Sequence, residues 1–220
     1  MNRFAWLALT CASVSSAQST WFVGGGAGVS TLSGDARAEI TAASTAISQY
    51  KPENGPIVHA FAGCHMRDWL SVQGAWSWNR NAVALVSSVV EGGRETAYEQ
   101  ARRSSQNNAA GDALIYFRRR ESSVRPFLGV GLGVMSFRST NPVLRISKGS
   151  PTLPGSEFSA VKPGLRAAAG IDLMIRGGWG IRYAFLETMQ GNPISQKLTP
   201  KGSRGLANFQ NLFGVMKYFR

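Results

Sequence analysis

The sequence predicts an all-β protein: an eight-stranded, antiparallel, up-and-down transmembrane β-barrel with short periplasmic turns and long extracellular loops. Three observations carry this. The first is residues 162–187, where Leu165, Ala167, Ala169, Ile171, Leu173 and Ile175 alternate with Arg166, Ala168, Gly170, Asp172, Met174 and Arg176. That is the period of two of a strand with one apolar and one polar face. Gly177-Gly178 supplies the positive φ of a tight hairpin, and Trp179, Ile181, Tyr183 and Phe185 resume the alternation against Gly180, Arg182 and Ala184. The second is length: these segments exceed the ~5–6 residues of an ordinary strand and match the ~9–11 tilted residues that cross a bilayer. The third is that connections alternate long and short along the chain, which suits a barrel with water of different character at its two ends.

The elements follow in order. A first strand spans 20–30, with Trp21, Val23, Gly25, Ala27 and Val29 facing one way. Residues 31–55 are polar, end in LysProGluAsnGlyPro and read as a long loop; Ala36, Ile40, Ala43, Ile47 and Tyr50 fall at helical spacing and allow a short loop helix. A second strand runs over 57–66. Arg67-Asp68 turns the chain into a third, with Leu70, Val72, Gly74, Trp76 and Trp78 opposed to Ser71, Gln73, Ala75, Ser77 and Asn79. This strand continues past the membrane, turns at Gly92-Gly93 and returns as a fourth over 96–118, whose SerSerGlnAsnAsn middle (104–108) reads as standing in water. Residues 118–123 make a short turn. A fifth strand over 124–137 sets Val124, Leu128, Val130, Leu132 and Val134 outward and Arg125, Phe127, Gly129, Gly131, Gly133 and Met135 inward. Residues 138–158, with three prolines, read as a long loop. The hairpin of 162–187 gives strands six and seven, 190–205 is another proline-containing loop, and the eighth strand runs over 206–219.

Composition agrees. At 220 residues the chain holds one domain behind a targeting segment. Arg3, the apolar run 4–12 and Ser15-Ser16-Ala17 read as a secretory signal peptide over 1–17, leaving a barrel domain over 18–220. Cys11 leaves with the signal, so Cys64 remains alone and no intrachain disulfide is expected. No run of ~18 apolar residues offers a membrane helix, and alternating strands keep the mean hydropathy at −0.09. The net charge of +12 clusters at Arg102-Arg103, at 118–120 and at 197–204. Export and the lack of a recognition helix argue against nucleic acid. Phosphates of outer-membrane lipids, lipopolysaccharide included, are the natural counterpart for basic loops, and much of the charge reads as solvated or snorkelling.

Residues 124–133 (ValArgProPheLeuGlyValGlyLeuGly), 170–183 and 211–220 resemble the small outer-membrane β-barrel proteins of the OmpA-transmembrane, OmpX and opacity-protein type. The resemblance implies the barrel fold, the outer membrane and insertion by the barrel-assembly machinery. Such barrels end on an aromatic residue, whereas Arg220 follows Phe219 here. Members include adhesins, structural anchors, narrow channels and a few lipid-modifying enzymes, so fold alone leaves activity open.

Four inward charges, Arg125, Arg166, Asp172 and Arg182, come from three neighbouring strands. An eight-stranded barrel is only wide enough for side chains to fill, and charges taken from water must be paired. Asp172 is therefore expected to bridge two of the arginines in a lumen network; conduction of small anions is the other reading. His59 and His65 share one face of the second strand, but no serine or acid stands at a spacing that marks a catalytic group, and two histidines make no metal site. No metal or cofactor is expected. GlyValGlyLeuGly (129–133) sits inside a strand, so it reads as small residues past which inner side chains reach, not as a phosphate loop. Trp21, Trp69, Trp76, Trp78, Trp179, Tyr183, Tyr218 and Phe219 read as aromatic girdles. The functional expectation is a monomeric, non-enzymatic membrane anchor whose long basic loops meet surface glycolipid or an external partner. A narrow pore, a lipid-modifying enzyme and a soluble lipocalin-like barrel are the alternatives.

Overall fold

Wherever apolar and polar residues alternate over ten positions or more, the computed structural model has a strand. It describes residues 20–33, 37–151, 157–192 and 205–219, so the expected signal peptide lies outside the described residues. The strands are β1 (Trp21–Ser33), β2 (Arg37–Ile40), β3 (Ser44–Pro52), β4 (Asn54–His65), β5 (Leu70–Glu91), β6 (Arg94–Tyr116), β7 (Val124–Lys148), β8 (Phe158–Met174), β9 (Trp179–Gly191) and β10 (Gly205–Phe219). Eight of them close a ring. Each of β4 to β10 pairs antiparallel with the next described barrel strand, and β1 pairs with both β4 and β10. The first and last strands meet in the register Trp21↔Phe219, which seals the cylinder.

Hydrogen-bond supply explains the closure. Hydrocarbon offers no partner for an N–H or C=O, so each backbone group must be paired within the sheet, and only a closed sheet has no edge. The turns at one end are short: Met66 N–H donates to Leu70 O at 2.9 Å, and Ile175 N–H donates to Trp179 O at 2.7 Å. Gly177 and Gly178 adopt φ of 73° and 75° in the latter turn, which is a single 3-10 turn over Arg176–Gly178 and not a two-residue loop. At the other end, Gly92 and Gly93 take φ of 54° and 74° at the tip of the β5–β6 hairpin.

The faces divide by parity. Leu132 is 68% exposed and Val130 65%, while Arg125 and Met135, inward on the same strand, are 1% exposed. That apolar face turned outward excludes the lipocalin-like arrangement, in which the same residues would line a cavity. No helix among the described residues is long and apolar enough to cross a membrane; the crossing belongs to the strands.

Three expectations are corrected at the loop end. Residues 31–55 are not a loop with a helix: β2 and β3 form a hairpin, and β3 pairs with the far half of β5 from Ser44↔Glu91 to Pro52↔Val83. The helical spacing there was a coincidence of a strand pair with few buried positions. β7 continues to Lys148, well beyond the expected 137. Pro142 is tolerated because the β6–β7 register shifts between Ala101 and Arg103, where no ladder bond is required of it. Pro163 sits in β8 just beyond the start of β9 pairing at Gly164, so it too stands at a local edge. Gln106 and Asn108 are buried in the barrel rather than bathed in water. The loop expected over 190–205 falls mostly outside the described residues.

β1 lies close to its neighbours because its inward positions are glycines. A Cβ on Gly28 would overlap the Asn211 carbonyl oxygen of β10. Gly28→Val is therefore expected to cost about 1–3 kcal/mol, lowering the urea midpoint of the folded gel band, whereas Ala27→Val on the exposed face leaves it near wild type.

Candidate functional site

The lumen holds the chemistry-bearing residues, and the strands deliver them by parity alone. Asp172 on β8 stands directly opposite Arg182 on β9. Arg182 Nε donates to Asp172 Oδ1 at 2.7 Å and Nη2 to Oδ2 at 2.8 Å, a bidentate fork. Its remaining donors reach Gln73 Oε1 at 2.9 Å and the Tyr116 hydroxyl at 2.9 Å. The guanidinium lies 4.5 Å from the Phe61 ring centroid and 4.9 Å from that of Phe127, so aromatic faces cover what the acceptors leave. Asp172 Oδ2 also accepts from Tyr116 at 2.8 Å and from Tyr218 at 3.3 Å.

The network runs on in both directions. Arg125 Nη1 donates to Tyr218 OH at 3.5 Å and to His65 Nε2 at 3.2 Å, Nη2 donates to the Asp68 carbonyl at 3.2 Å, and the guanidinium sits 4.0 Å over the Tyr116 ring. Toward the loop end, Gln73 Nε2 donates to Asp112 Oδ2 at 3.0 Å, and Arg166 pairs with Asp112 Oδ1 at 3.1 Å. Seven of the eight barrel strands contribute a member, and β1 adds the Phe22 ring beside Arg182. The structure thus brings Arg125, Asp172 and Arg182 into direct or one-step contact. Arg166 joins through Asp112, not Asp172. The expectation that Asp172 bridges two arginines is corrected: it takes one, because the Asp172↔Arg182 register fills its oxygens and two tyrosines complete them.

His65 also bonds Ser71, directly opposite it on β5. Arginine can only donate, so His65 Nε2 is the acceptor and Nδ1 carries the proton toward Ser71. The serine then receives a hydrogen bond where a nucleophile would have to give one up. Ser71 is fully buried, and among the described residues no carboxylate bonds the ring. His59 packs at a tilt against Phe61, with ring centroids 5.4 Å apart. Among the described residues no cluster of histidine, cysteine and carboxylate side chains suits a metal. Cys64 is buried.

Above this charged layer lies a belt of amides. Ser30 Oγ donates to Asn208 Oδ1 at 2.8 Å, Asn79 Nδ2 to Ser30 Oγ at 3.0 Å, and Gln106 Nε2 to Ser104 Oγ at 3.1 Å. Leu32, Val83, Leu85, Phe137 and Leu206 form an apolar cluster beyond it. Ser30, Asn79, Gln106, Asn208 and Asp172 are all 0% accessible, so these side chains are packed on every side within the lumen. The inward glycines of β7 make room: a Cβ on Gly129 would meet Leu114 at 2.7 Å, and one on Gly133 would meet Asn108 Oδ1 at 2.8 Å. Asp112, Gln73 and Tyr116 are functional-site residues that sequence reasoning did not single out. Their inward parity was readable; their diagonal reach across strands was not.

On the outer wall, Trp21, Trp69, Trp179 and Phe219 are exposed around the turn end, and Trp76 and half-buried Trp78 stand higher on β5. Tyr183 also points outward, four residues along β9 from Trp179, with its hydroxyl donating to Asn211 Oδ1 at 3.2 Å. Tyr218 is corrected: it faces the lumen at 9% exposure, because its neighbour Phe219 takes the outward position.

The family described as outer membrane protein beta-barrel domain matches residues 4–200. No curated protein matches the sequence. Among solved structures, the chain is similar to Neisserial surface protein A (NspA), with 14% identity and a TM-score of 0.50 over 90% of this chain and 97% of that one. It is equally similar to Ail, the attachment invasion locus protein of Yersinia pestis, in complex with the heparin analogue sucrose octasulfate, with 11% identity and a TM-score of 0.50 over 91% and 99%. At these identities the likeness is one of fold.

Removing one partner of the central pair strands the other in a dry site, which costs about 3–5 kcal/mol. Arg182→Leu and Asp172→Leu are each expected to lower the urea midpoint in detergent by that order. The double variant, which buries no charge, should be more stable than either single change.

Proposed function

Because the chain belongs to the outer membrane protein beta-barrel family and resides in the bacterial outer membrane, we propose that it is a non-enzymatic, monomeric membrane anchor that presents β-structure at the cell surface. The observation that carries the proposal is a contrast between the two ends of the same strands. Inside the membrane band the barrel is filled, layer upon layer, by charged, amide and apolar side chains. Beyond the band, β5, β6 and β7 continue as a tall sheet. Asn81 to Glu91 adds eleven residues, or roughly 25–30 Å of height at the usual rise and tilt. The β2–β3 hairpin lies against this extension, and Ile40, Ile47, Val143 and Ile146 stand exposed on it.

A chain that needed only to cross the membrane would have no use for that projection. Its exposed basic residues, among them Arg94, Arg103, Arg138, Arg145 and Lys148, favour an anionic surface partner such as glycolipid phosphate. Insertion by the barrel-assembly machinery belongs to the same reading. Against a pore stands the filling of the lumen by side chains; against an enzyme stands the serine that His65 donates to.

Reconstituted in planar bilayers, the protein is expected to give no discrete conductance steps. An epitope inserted between Gly92 and Gly93 is expected to bind antibody on intact cells. Stepwise, ion-selective openings would replace the anchor with a channel, and an epitope reached only after cell rupture would reverse the orientation.

A further inference from the structure

The apolar outer stripes of three adjacent strands stop at one height. On β5 the outward residues Val72, Trp76 and Trp78 lead to Arg80. On β7, Leu128, Val130, Leu132 and Val134 lead through Ser136 to Arg138. On β6, between them, Ile115, Ala113 and Ala109 lead through Asn107 and Ser105 to Arg103. Ladder register turns this into a figure. Arg80 stands opposite Ser105, and Ser105 opposite Arg138, so the two arginines flank one serine about 9–10 Å apart. Arg103 lies two residues further along β6, opposite Thr140, about 7 Å from that serine. Three exposed guanidinium groups thus stand around a cleft of about 440 Å³ whose lining includes Trp78 and Ser105. That volume is within the range of about 300–1,000 Å³ that ligand sites occupy. Among the described residues, no hydrogen bond or ion pair engages Arg80, Arg103 or Arg138.

The height of the cleft identifies its surroundings. Ten residues separate Leu70, at the turn end of β5, from Arg80. At a rise of ~3.3 Å and a tilt of ~40° that is about 25 Å, the height of an outer-membrane apolar band. The arginines therefore stand where hydrocarbon gives way to headgroups, on the wall and not in the loops.

We propose that Arg80, Arg103 and Arg138 form a binding site for the phosphate of an outer-leaflet glycolipid, with the lipid's acyl chains lying down the apolar stripes of β5 to β7. The site deepens the surface-anchor reading and rests on its orientation. Guanidinium forks match phosphate oxygens in a bidentate way that point charges do not. Glu157, the acid at the rim of the cleft, leaves three positive charges against one negative. A free phosphate would satisfy the arginines but would leave the adjoining apolar wall unused, so the site is assigned to a lipid.

The test uses the full chain, folded in detergent, with bis-phosphorylated lipid A, dephosphorylated lipid A and inorganic phosphate as probes in a binding titration. The triple variant Arg80→Gln, Arg103→Gln, Arg138→Gln is expected to weaken binding of bis-phosphorylated lipid A by at least about tenfold. Heat-shifted gel mobility of that variant checks that it still folds. The control Arg118→Gln, Arg119→Gln, Arg176→Gln removes equal charge at the turn end and is expected to change affinity less than about twofold. Equal loss in the control, equal binding of dephosphorylated lipid, or displacement by millimolar inorganic phosphate would each overturn the site. None of these results bears on conductance or on display of the β5–β6 tip, so the anchor reading stands or falls separately.

Discussion

The constraint from which the rest follows is that hydrocarbon cannot hydrogen-bond. A sheet placed in it must satisfy every peptide group internally, and the register Trp21↔Phe219 is where this chain does so. Once that seam closes, each residue has only two directions to face. Along the membrane band, apolar residues such as Leu128, Val130 and Ile181 go out to lipid, and the charged Arg125, Arg166, Asp172 and Arg182 go in. A slip of one residue along any seam would exchange the two sets. For Arg125, Arg166 or Arg182 that would place a cation among lipid tails, at about 2–4 kcal/mol near the midplane.

The interior network is best understood as the device that punishes such slips. A buried ion pair contributes little net stability, because desolvation offsets most of its attraction. What it contributes is discrimination between registers. Asp172 meets Arg182 only in the pairing observed, and Tyr116, Tyr218 and Gln73 reach that pair from three further strands. The same side chains fill the interior, so the feature that specifies the fold is also the feature that occupies the lumen. The proposed roles lie on the two surfaces that remain: the outer wall at the headgroup level and the sheet that rises beyond it.

How much of this was legible in the sequence depended on where each segment sits. Inside the membrane, each strand faces two unlike environments, so alternation is strong; Leu128 to Met135 could be assigned inward and outward residue by residue. Beyond the membrane, both faces of β2 and β3 look largely to water and the pattern vanishes, so 37–52 passed for a loop. Pro142 misled for a related reason: it occupies a place where the ladder asks nothing of it, a context that composition does not encode. In the lumen the cast was readable and the pairing was not. Parity says that Arg166, Asp172, Arg182 and Asp112 point inward, but shear decides which of them meet across strands, and shear is set by the closed ring as a whole. Tyr218 and Phe219, adjacent aromatics at the chain's end, could not be divided between lumen and lipid until the β1–β10 register was known.

The central claim, that the apolar stripe of each strand meets lipid while its polar stripe fills a closed cylinder, is tested most directly by single cysteines placed one at a time from 128 to 135 in a Cys64→Ser background. Each is labelled with a nitroxide in reconstituted membranes, and collision rates are measured with lipid-soluble oxygen and with a water-soluble nickel chelate. The account predicts an oxygen accessibility of period two, high at 128, 130, 132 and 134 and low at the positions between, with the chelate excluded from all of them. Uniform accessibility, an alternation of opposite phase, or free access of the chelate to the inward positions would contradict it.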